Sequence, residues 1–258
     1  MRRTVNNLIQ SANRIFDIIE LLAPEKNGLR LGEIAARVQL KVSTVHNLLG
    51  TALYRSYVEQ DRETSKYKLG KKCFWLAQNY SKNDRLLSAA KEPIRLLSDQ
   101  CGELVFLGAI INDDLICLVL HESNQPLAVN PNQNWKNKFH VTAAGKVLLA
   151  YAAPDDFKHI RQKHALVKFT NRTITSPDKL KTELAKIRGR GYAVVKDEGI
   201  LGVSSVGVPI REEDDSVAYS LSISLPTASM SAGREWKLIR LLKETAQAIS
   251  GNLSQEKK

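Results

Sequence analysis

The sequence has few of the residues that build metal sites and disulfide frameworks. Its 258 residues include only three cysteines and five histidines, all widely spaced, and no Cys-x-x-Cys pair occurs. A structural zinc site needs closely spaced thiol or imidazole ligands, and an odd number of thiols favours a reducing compartment. We therefore expect no metal and no other cofactor, and we expect the thiols of Cys73, Cys101 and Cys117 to be free.

Long apolar runs are missing as well. No run approaches the roughly 18 to 20 residues that a membrane-spanning helix needs. The N-terminal sequence MRRTVNNLIQ also lacks the apolar segment of a signal peptide. Since 43% of the residues are nevertheless apolar, the chain can bury a substantial core. These features predict a folded cytoplasmic protein that does not enter a membrane.

Positive charge is in excess. The chain has 38 Lys and Arg against 27 Asp and Glu, a formal charge of +11. Residues 1–80 hold 13 basic and 7 acidic residues, so this first third carries +6 of the excess. Clustered basic residues attract polyanions such as nucleic acids, although a merely solubilising surface would look similar.

Three apolar stripes at helical spacing occupy the first third, at 15–22, 31–38 and 45–53. The second and third are separated by the short segment Gln39-Leu40-Lys41, and Ser43 is expected to open the third helix by capping its free amides. This arrangement predicts a helix-turn-helix. Two β-prone runs follow at 57–59 and 66–69, and the polar loop between them completes a hairpin of the kind called a wing.

The outer face of the third helix carries short polar side chains, which suit the major groove of DNA. An ordinary solvated face would have the same composition, but the neighbouring hairpin favours DNA, because Arg62 at its tip and Lys66 can reach phosphates. Arg2 and Arg3 are expected to add a basic arm. The predicted DNA-binding residues are Lys41, Ser43, Thr44, His46, Asn47, Thr51, Arg62, Lys66, Arg2 and Arg3.

The remaining two thirds mix helices and strands. Their order predicts an α+β domain in which helices cover an antiparallel sheet. Ser220, Ser222 and Ser224 alternate with apolar residues, so their hydroxyls share one face of a strand. Taken alone, this pattern is more typical of a polar, solvent-facing surface than of a binding site.

Several blocks of sequence resemble the IclR-type bacterial transcription regulators. LGEIAARVQLKVSTVHNLL and YVEQDRETSKYKLG resemble the family's winged helix-turn-helix, and FHVTAAGKVLLA, ITSPDKLKTELAKIRGRGYAV and GVSSVGVPI resemble blocks of its second domain. The blocks follow the family's order from about Ser11 to Leu225. The resemblance implies a winged helix-turn-helix DNA-binding domain at 1–70, a linker helix at 71–85 and an effector-binding domain similar to GAF domains at 86–258.

The resemblance also implies an effector pocket. The matching positions here are Ala143, Ala144, Val195, Val203, Ser205, Ser222 and Ser224. Hydroxyl groups beside a helix N-terminus suit a carboxylate, so the expected effector is a small carboxylate metabolite. Val195 stands where family members often have Asp, and Ser205 stands where they have Cys, so the identity of the effector stays open.

Two further departures concern the DNA-binding domain. Gln39 replaces the usual Gly of the turn, which costs roughly 1 kcal/mol if the position requires positive φ. Asn47 replaces a frequent Arg of the recognition helix, so the operator sequence of relatives does not transfer.

We therefore predict a DNA-binding regulator, not an enzyme, that binds a double-stranded operator as a homodimer or homotetramer and responds to a small-molecule effector. Gly145-Lys146 is not a phosphate-binding loop, because the first Gly and the final Ser or Thr of that motif are absent. The alternative is a small-molecule sensor or metabolic enzyme whose basic first domain contacts another protein.

Overall fold

The structure, a computed structural model, describes residues 8–130 and 138–255. It divides into two compact units, Met1–Asn83 and Asp84–Lys258. The predicted basic arm of Arg2 and Arg3 lies outside the described residues.

Over residues 8–83, the first unit shows four helices and one hairpin: α1 (Gln10–Leu22), α2 (Leu31–Arg37), α3 (Val42–Tyr54), β1 (Val58–Gln60), β2 (Tyr67–Leu69) and α4 (Lys71–Asn83). The predicted stripes form its core, where Ile18, Ile34, Val45 and Leu49 pack together. β1 and β2 pair antiparallel, so the predicted helix-turn-helix and wing are both present.

The turn between α2 and α3 differs in one detail from the prediction and agrees in another. α3 begins at Val42 with Lys41 as its N-cap, and no side chain caps it, so the prediction that Ser43 caps the helix is wrong. Ser43 lies inside the first turn, two residues after the N-cap position. Gln39 has φ 54°, which places it in the left-handed region and confirms that this position favours glycine.

The second unit is a five-stranded antiparallel sheet between layers of helices. Its elements are α5 (Arg85–Cys101), β3 (Leu104–Ile111), β4 (Asp114–His121), α6 (Ala143–Tyr151), α7 (Pro154–Lys163), α8 (Pro177–Arg190), β5 (Ala193–Lys196), β6 (Val203–Ile210), β7 (Tyr219–Pro226) and α9 (Ala232–Gln255). The strand order is β4-β3-β7-β6-β5. α5 and α9 pack against one face of the sheet and α6 and α8 against the other, which confirms the predicted α+β class.

The three cysteines are free, as expected. Burial raises the pKa of Cys117 to about 12, so this thiol stays protonated and unreactive. No helix among the described residues is both long enough and apolar enough to cross a bilayer.

A candidate DNA-binding surface and a candidate effector pocket

The recognition helix α3 presents a polar face to solvent. It buries Val45, Leu49 and Ala52 on its inner side, and these positions fix which side chains point outward. Of the residues predicted to face DNA in and before this helix, Thr44 is half-buried and the others are exposed: Lys41, Ser43, His46, Asn47 and Thr51. Their side chains are therefore placed to contact a partner that lies along the helix.

Thr51 and Asn47 differ in whether their side chains are already hydrogen-bonded. The Thr51 hydroxyl donates to the Asn47 carbonyl, at 3.4 Å, and so is bound to its own helix. Within residues 8–130 and 138–255, the side-chain amide of Asn47 has no hydrogen-bond partner. Asn47 can therefore offer both a donor and an acceptor to a base edge.

The tip of the wing is held in shape by Asp61. Its carboxylate accepts from the backbone N–H of Thr64 at 2.8 Å and of Glu63 at 3.1 Å. Hydrogen bonds from the backbone and hydroxyl of Thr64 lower the pKa of Asp61, so the carboxylate that holds the turn stays charged. Arg62 is displayed on this ordered turn and is exposed.

The basic side chains of the wing differ in whether they form an ion pair within the described residues. Lys68 pairs with Glu59 at 3.2 Å. Arg62, and Lys66 just before β2, have no ion-pair partner within the part of the chain that the structure describes. These two cations can therefore neutralise phosphates without first breaking an internal ion pair.

The second unit contains a cavity of about 720 Å³, open solvent at its mouth included. All of the predicted effector residues line it: Ala143, Ala144, Val195, Val203, Ser205, Ser222 and Ser224. Positions that are distant in the sequence are thus brought to one site.

Strand register explains how three of these side chains meet. Val195 on β5 lies opposite Ser205 on β6, and Ser205 lies opposite Ser224 on β7. Ser222 lies two residues before Ser224 on β7 and therefore shares its face of the sheet. The face is covered by α6, so the serines are pocket groups and not a solvent-exposed surface.

The N-terminus of α6 meets the serines at the sheet. Thr142 caps the helix, since its hydroxyl accepts from the Gly145 N–H at 3.2 Å, and the Ala143 N–H donates to the Ser205 hydroxyl at 3.4 Å. A side chain at Gly207 on β6 would place a Cβ 3.0 Å from the Ala143 carbonyl carbon, so glycine permits this close approach. The first amides of a helix and its dipole favour an anion at this position.

Apolar side chains that the sequence reasoning missed form the remaining walls. Phe106 on β3 and Leu115 on β4 are buried, and Val129, Val141 and Ile200 are further apolar lining residues. The polar residues Asn130 and Lys138 line the cavity as well. β3 is buried along nearly its whole length, so its sequence has no alternation that would single out Phe106. Its register with β7, which places Phe106 opposite Ser222, is known only from the structure.

One wall is anchored by a buried ion pair. Lys146 on α6 is 1% exposed, and its ammonium lies 2.5 Å from the Glu198 carboxylate. Burial raises the pKa of Glu198, and the Lys146 charge acts in the opposite direction. The pair ties α6 to the segment 197–202, whose Gly199 and Ile200 line the pocket. Lys146 is thus a structural residue.

Asp197, the first residue of the segment 197–202, holds the last residue of that segment in place. The Asp197 carboxylate accepts from the Thr227 hydroxyl at 2.7 Å and from the Gly202 N–H at 2.8 Å, and the Thr227 bond lowers the pKa of Asp197. The pocket wall is therefore preformed. Among the described residues, no group of three or more His, Cys, Asp or Glu side chains is arranged to hold a metal ion.

Two family models match the chain. The model of the IclR helix-turn-helix domain matches residues 11–62, and the model of the bacterial transcriptional regulator IclR C-terminal region matches residues 78–251. The second match alone covers more than half of the chain.

Individual relatives agree with the models. The chain is 31% identical over 245 residues to the HTH-type transcriptional regulator KdgR of Escherichia coli, covering 95% of this chain and 93% of the relative. It is 30% identical over 249 residues to the HTH-type transcriptional regulator BhcR of Paracoccus denitrificans, with 96% and 89% covered.

Solved structures share the fold. An IclR transcriptional regulator from Alicyclobacillus acidocaldarius has a TM-score of 0.86 at 22% identity, covering 96% of this chain and 100% of that one. An IclR homolog complexed with 4-hydroxybenzoate, from Microbacterium hydrocarbonoxydans, has a TM-score of 0.80 at 22% identity, covering 95% and 99%.

These matches confirm the resemblance predicted from the sequence blocks. The relatives are named as transcriptional regulators, which confirms the prediction of a regulator and not an enzyme. The helix-turn-helix domain binds DNA and the C-terminal domain binds a small molecule. The chain belongs to the IclR family of bacterial transcriptional regulators.

Proposed function

We propose that this regulator reads its operator with α3 and holds the DNA backbone with the wing. Asn47, and with it Ser43 and His46, would contact base edges in the major groove, while Arg62 and Lys66 would contact phosphates. The observation that carries this proposal is the exposed polar face of α3 together with two wing cations that have no ion-pair partner among the described residues. DNA binding is assigned to residues 1–70, the connection to 71–85 and effector binding to 86–258.

The test separates base reading from backbone contact. Fluorescence anisotropy would measure binding to a duplex that spans the intergenic region beside the gene, and to a scrambled duplex, across a salt series. We expect Asn47→Ala to lose about 1–3 kcal/mol of discrimination between the two duplexes. Arg62→Ala should weaken both complexes alike and reduce the salt slope by about 1.

Arg188→Ala is the matched control. Arg188 is an exposed arginine on α8 in the other unit, and its loss changes the net charge equally. If Arg188→Ala lowers the salt slope as much as Arg62→Ala does, the effect comes from overall charge and the assignment of the wing is wrong. Equal losses on both duplexes for Asn47→Ala would contradict its role in base reading.

We infer that the effector is a small carboxylate bound between β7 and the start of α6. The Ser222 and Ser224 hydroxyls and the Ala143 and Ala144 backbone would surround the carboxylate, an arrangement that suits an anion. The solved relative complexed with 4-hydroxybenzoate supports a ligand of this kind. An effector that prefers one arrangement of the chain shifts the population toward it, and DNA affinity changes by the reciprocal factor.

Calorimetry with benzoate and pyruvate as probes tests the site. Ser222→Ala combined with Ser224→Ala should abolish measurable binding of whichever acid the natural chain binds. Ser220→Ala is the control on the same strand: its hydroxyl is buried, has no partner among the described residues and does not line the pocket. Unchanged binding by the double variant would show that the carboxylate lies elsewhere.

We also infer a homodimer, or a homotetramer built from dimers. One recognition helix reads few base pairs, and two copies read paired half-sites. In the first unit Phe16 on α1 and Phe74 and Trp75 on α4 are exposed aromatic residues, of the kind that an interface between copies would cover. Light scattering after size-exclusion chromatography measures the oligomeric state, and a monomer at micromolar concentration would contradict the proposed dimer.

We also infer that the protein is cytoplasmic, because a chromosomal operator lies in that compartment.

A further inference from the structure

The pocket walls carry information about the part of the effector that is not the carboxylate. Phe106 comes from β3, Leu115 from β4 and Val195 from β5, and these side chains are 4%, 1% and 3% exposed. Val141 and Ile200 add two more apolar side chains. Walls from five separate parts of the unit are therefore apolar.

The serine hydroxyl groups lie where β6 and β7 meet the start of α6, and some of the hydroxyl groups there already have partners. The Ser205 hydroxyl accepts from the Ala143 N–H. The Thr142 hydroxyl accepts from Gly145 and donates to the Lys138 carbonyl at 2.8 Å. The hydroxyls of Ser222 and Ser224 are thus the principal side-chain groups left there for a ligand.

Charge inside the pocket is equally restricted. No carboxylate side chain occurs among the described residues that line it, and Lys138 is the charged residue of that set. Its ammonium lies 5.8 Å from the centre of the Phe169 ring, a residue outside the lining. Asn130 adds one amide side chain to the described lining. Apart from Asn130 and Lys138, the walls formed by the apolar side chains offer no hydrogen-bond partner to hydroxyl groups on a ligand.

This distribution decides between two kinds of carboxylate. A hydroxyl-rich acid would bury several hydroxyl groups against apolar walls, and a buried polar group without a partner is unfavourable. An apolar body would instead gain from leaving water. The difference grows with each additional hydroxyl group.

We propose that the effector is a carboxylate with a compact apolar body, a ring or a branched aliphatic group, and that Val195 is a residue that determines this specificity. Val195 lies next to Ser205 in the strand register and so borders the serine hydroxyl groups of the pocket. A polar side chain at this position would be the nearest hydrogen-bond partner for a hydroxyl group on the ligand. The proposal rests on the carboxylate site proposed above.

The experiment compares three acids on the full-length protein. Calorimetry would measure the affinities for benzoate, cyclohexanecarboxylate and gluconate in the natural chain, in Val195→Thr and in Val194→Thr. Threonine has nearly the volume of valine and adds one hydroxyl. Val194 is the matched control, because it is the preceding residue on β5 and packs on the opposite face of the sheet.

The two apolar acids should bind the natural chain at least about ten-fold more tightly than gluconate. Val195→Thr should reduce that preference about ten-fold, since it introduces one polar group beside the ligand body. Val194→Thr should leave the preference unchanged, and the unfolding transition of each variant shows whether it is folded. If Val195→Thr does not fold, the preference of the natural chain for the apolar acids still tests the proposal. Val195→Ala, which enlarges the pocket without adding polarity, then replaces the threonine variant.

Three outcomes would overturn the proposal. They are gluconate binding as tightly as benzoate, equal effects of the two threonine variants, and no binding of any of the three acids. The carboxylate site fails separately, if benzoate binds and the Ser222→Ala, Ser224→Ala double variant binds it equally well. DNA binding by the first unit is measured independently and is affected by none of these results.

Discussion

The two candidate sites differ in how the chain positions their residues. On α3 the candidate side chains project from an exposed helix face, and the residues that hold the helix, such as Val45 and Leu49, lie on its other side. In the pocket, Ser205 and Val195 are themselves buried and belong to the packing between sheet and helix. Recognition and stability are therefore separable in the first unit and coupled in the second.

Two glycines illustrate this difference between α3 and α6. At Gly50 on α3, an added Cβ would have no atom within 4 Å. At Gly145 on α6, a Cβ would lie 2.5 Å from the backbone of Phe139. The surface helix has room for a larger residue at Gly50, whereas the pocket helix has no room for one at Gly145.

The largest effect that this comparison predicts comes from the buried pair of the second unit. Lys146→Ala leaves the Glu198 carboxylate buried without its partner, which should destabilise the unit by about 3–5 kcal/mol. Urea unfolding, followed region by region with hydrogen exchange, would measure the loss. A loss below about 1 kcal/mol would show that the ion pair is solvated. In that case stability and the pocket would not be coupled through Lys146.

The same variant has a predictable pH dependence. Burial already raises the pKa of Glu198, and removal of the Lys146 charge raises it further. A carboxyl group with a higher pKa in the folded chain binds its proton more tightly there, so the folded chain gains stability as pH falls through that pKa. The deficit of Lys146→Ala should therefore be larger at about pH 8 than at about pH 5. Adding Glu198→Gln should remove this dependence.

The second prediction uses the pair of glycines. Gly145→Ala should destabilise the second unit by about 2–3 kcal/mol, because the new Cβ overlaps backbone. Gly50→Ala should stabilise the first unit by about 1 kcal/mol, because alanine is the better helix former and nothing opposes it. Hydrogen exchange in each unit measures both effects, and losses of similar size in the two variants would remove the distinction between the sites.

The same distinction explains what could be predicted from the sequence. The outward face of α3 follows from a stripe within one helix, so local spacing was sufficient to place Asn47 and His46. The alternation of Ser222 and Ser224 placed them on one face, and the family resemblance was needed to place that face in a pocket. Ser43 was wrongly expected to cap α3, because several residues near a helix start can act as caps and periodicity does not locate the first turn.

The remaining pocket residues depend on contacts across the fold. Phe106 belongs to a strand that is apolar almost throughout, and only its pairing with β7 shows which side faces the effector. Lys146 and Glu198 are separated by 52 positions, and no spacing rule connects them. Concave sites are assembled from such distant contacts, which is why their walls were missed while the exposed helix face was found.

The smallest predicted effect concerns the turn that presents the recognition helix. Gln39 adopts φ 54°, so Gln39→Gly should relieve strain and stabilise the first unit by roughly 0.5–1 kcal/mol. Part of this gain is offset by the greater freedom of glycine in the unfolded chain. Because Gln39 precedes α3 and packs on neither candidate site, operator affinity should stay the same while the unfolding midpoint rises. Gln39→Ala, which keeps the unfavourable φ, is the control and should give no gain. An affinity change as large as that of Asn47→Ala would mean that the turn itself contacts DNA, and that recognition and stability are coupled in this unit too.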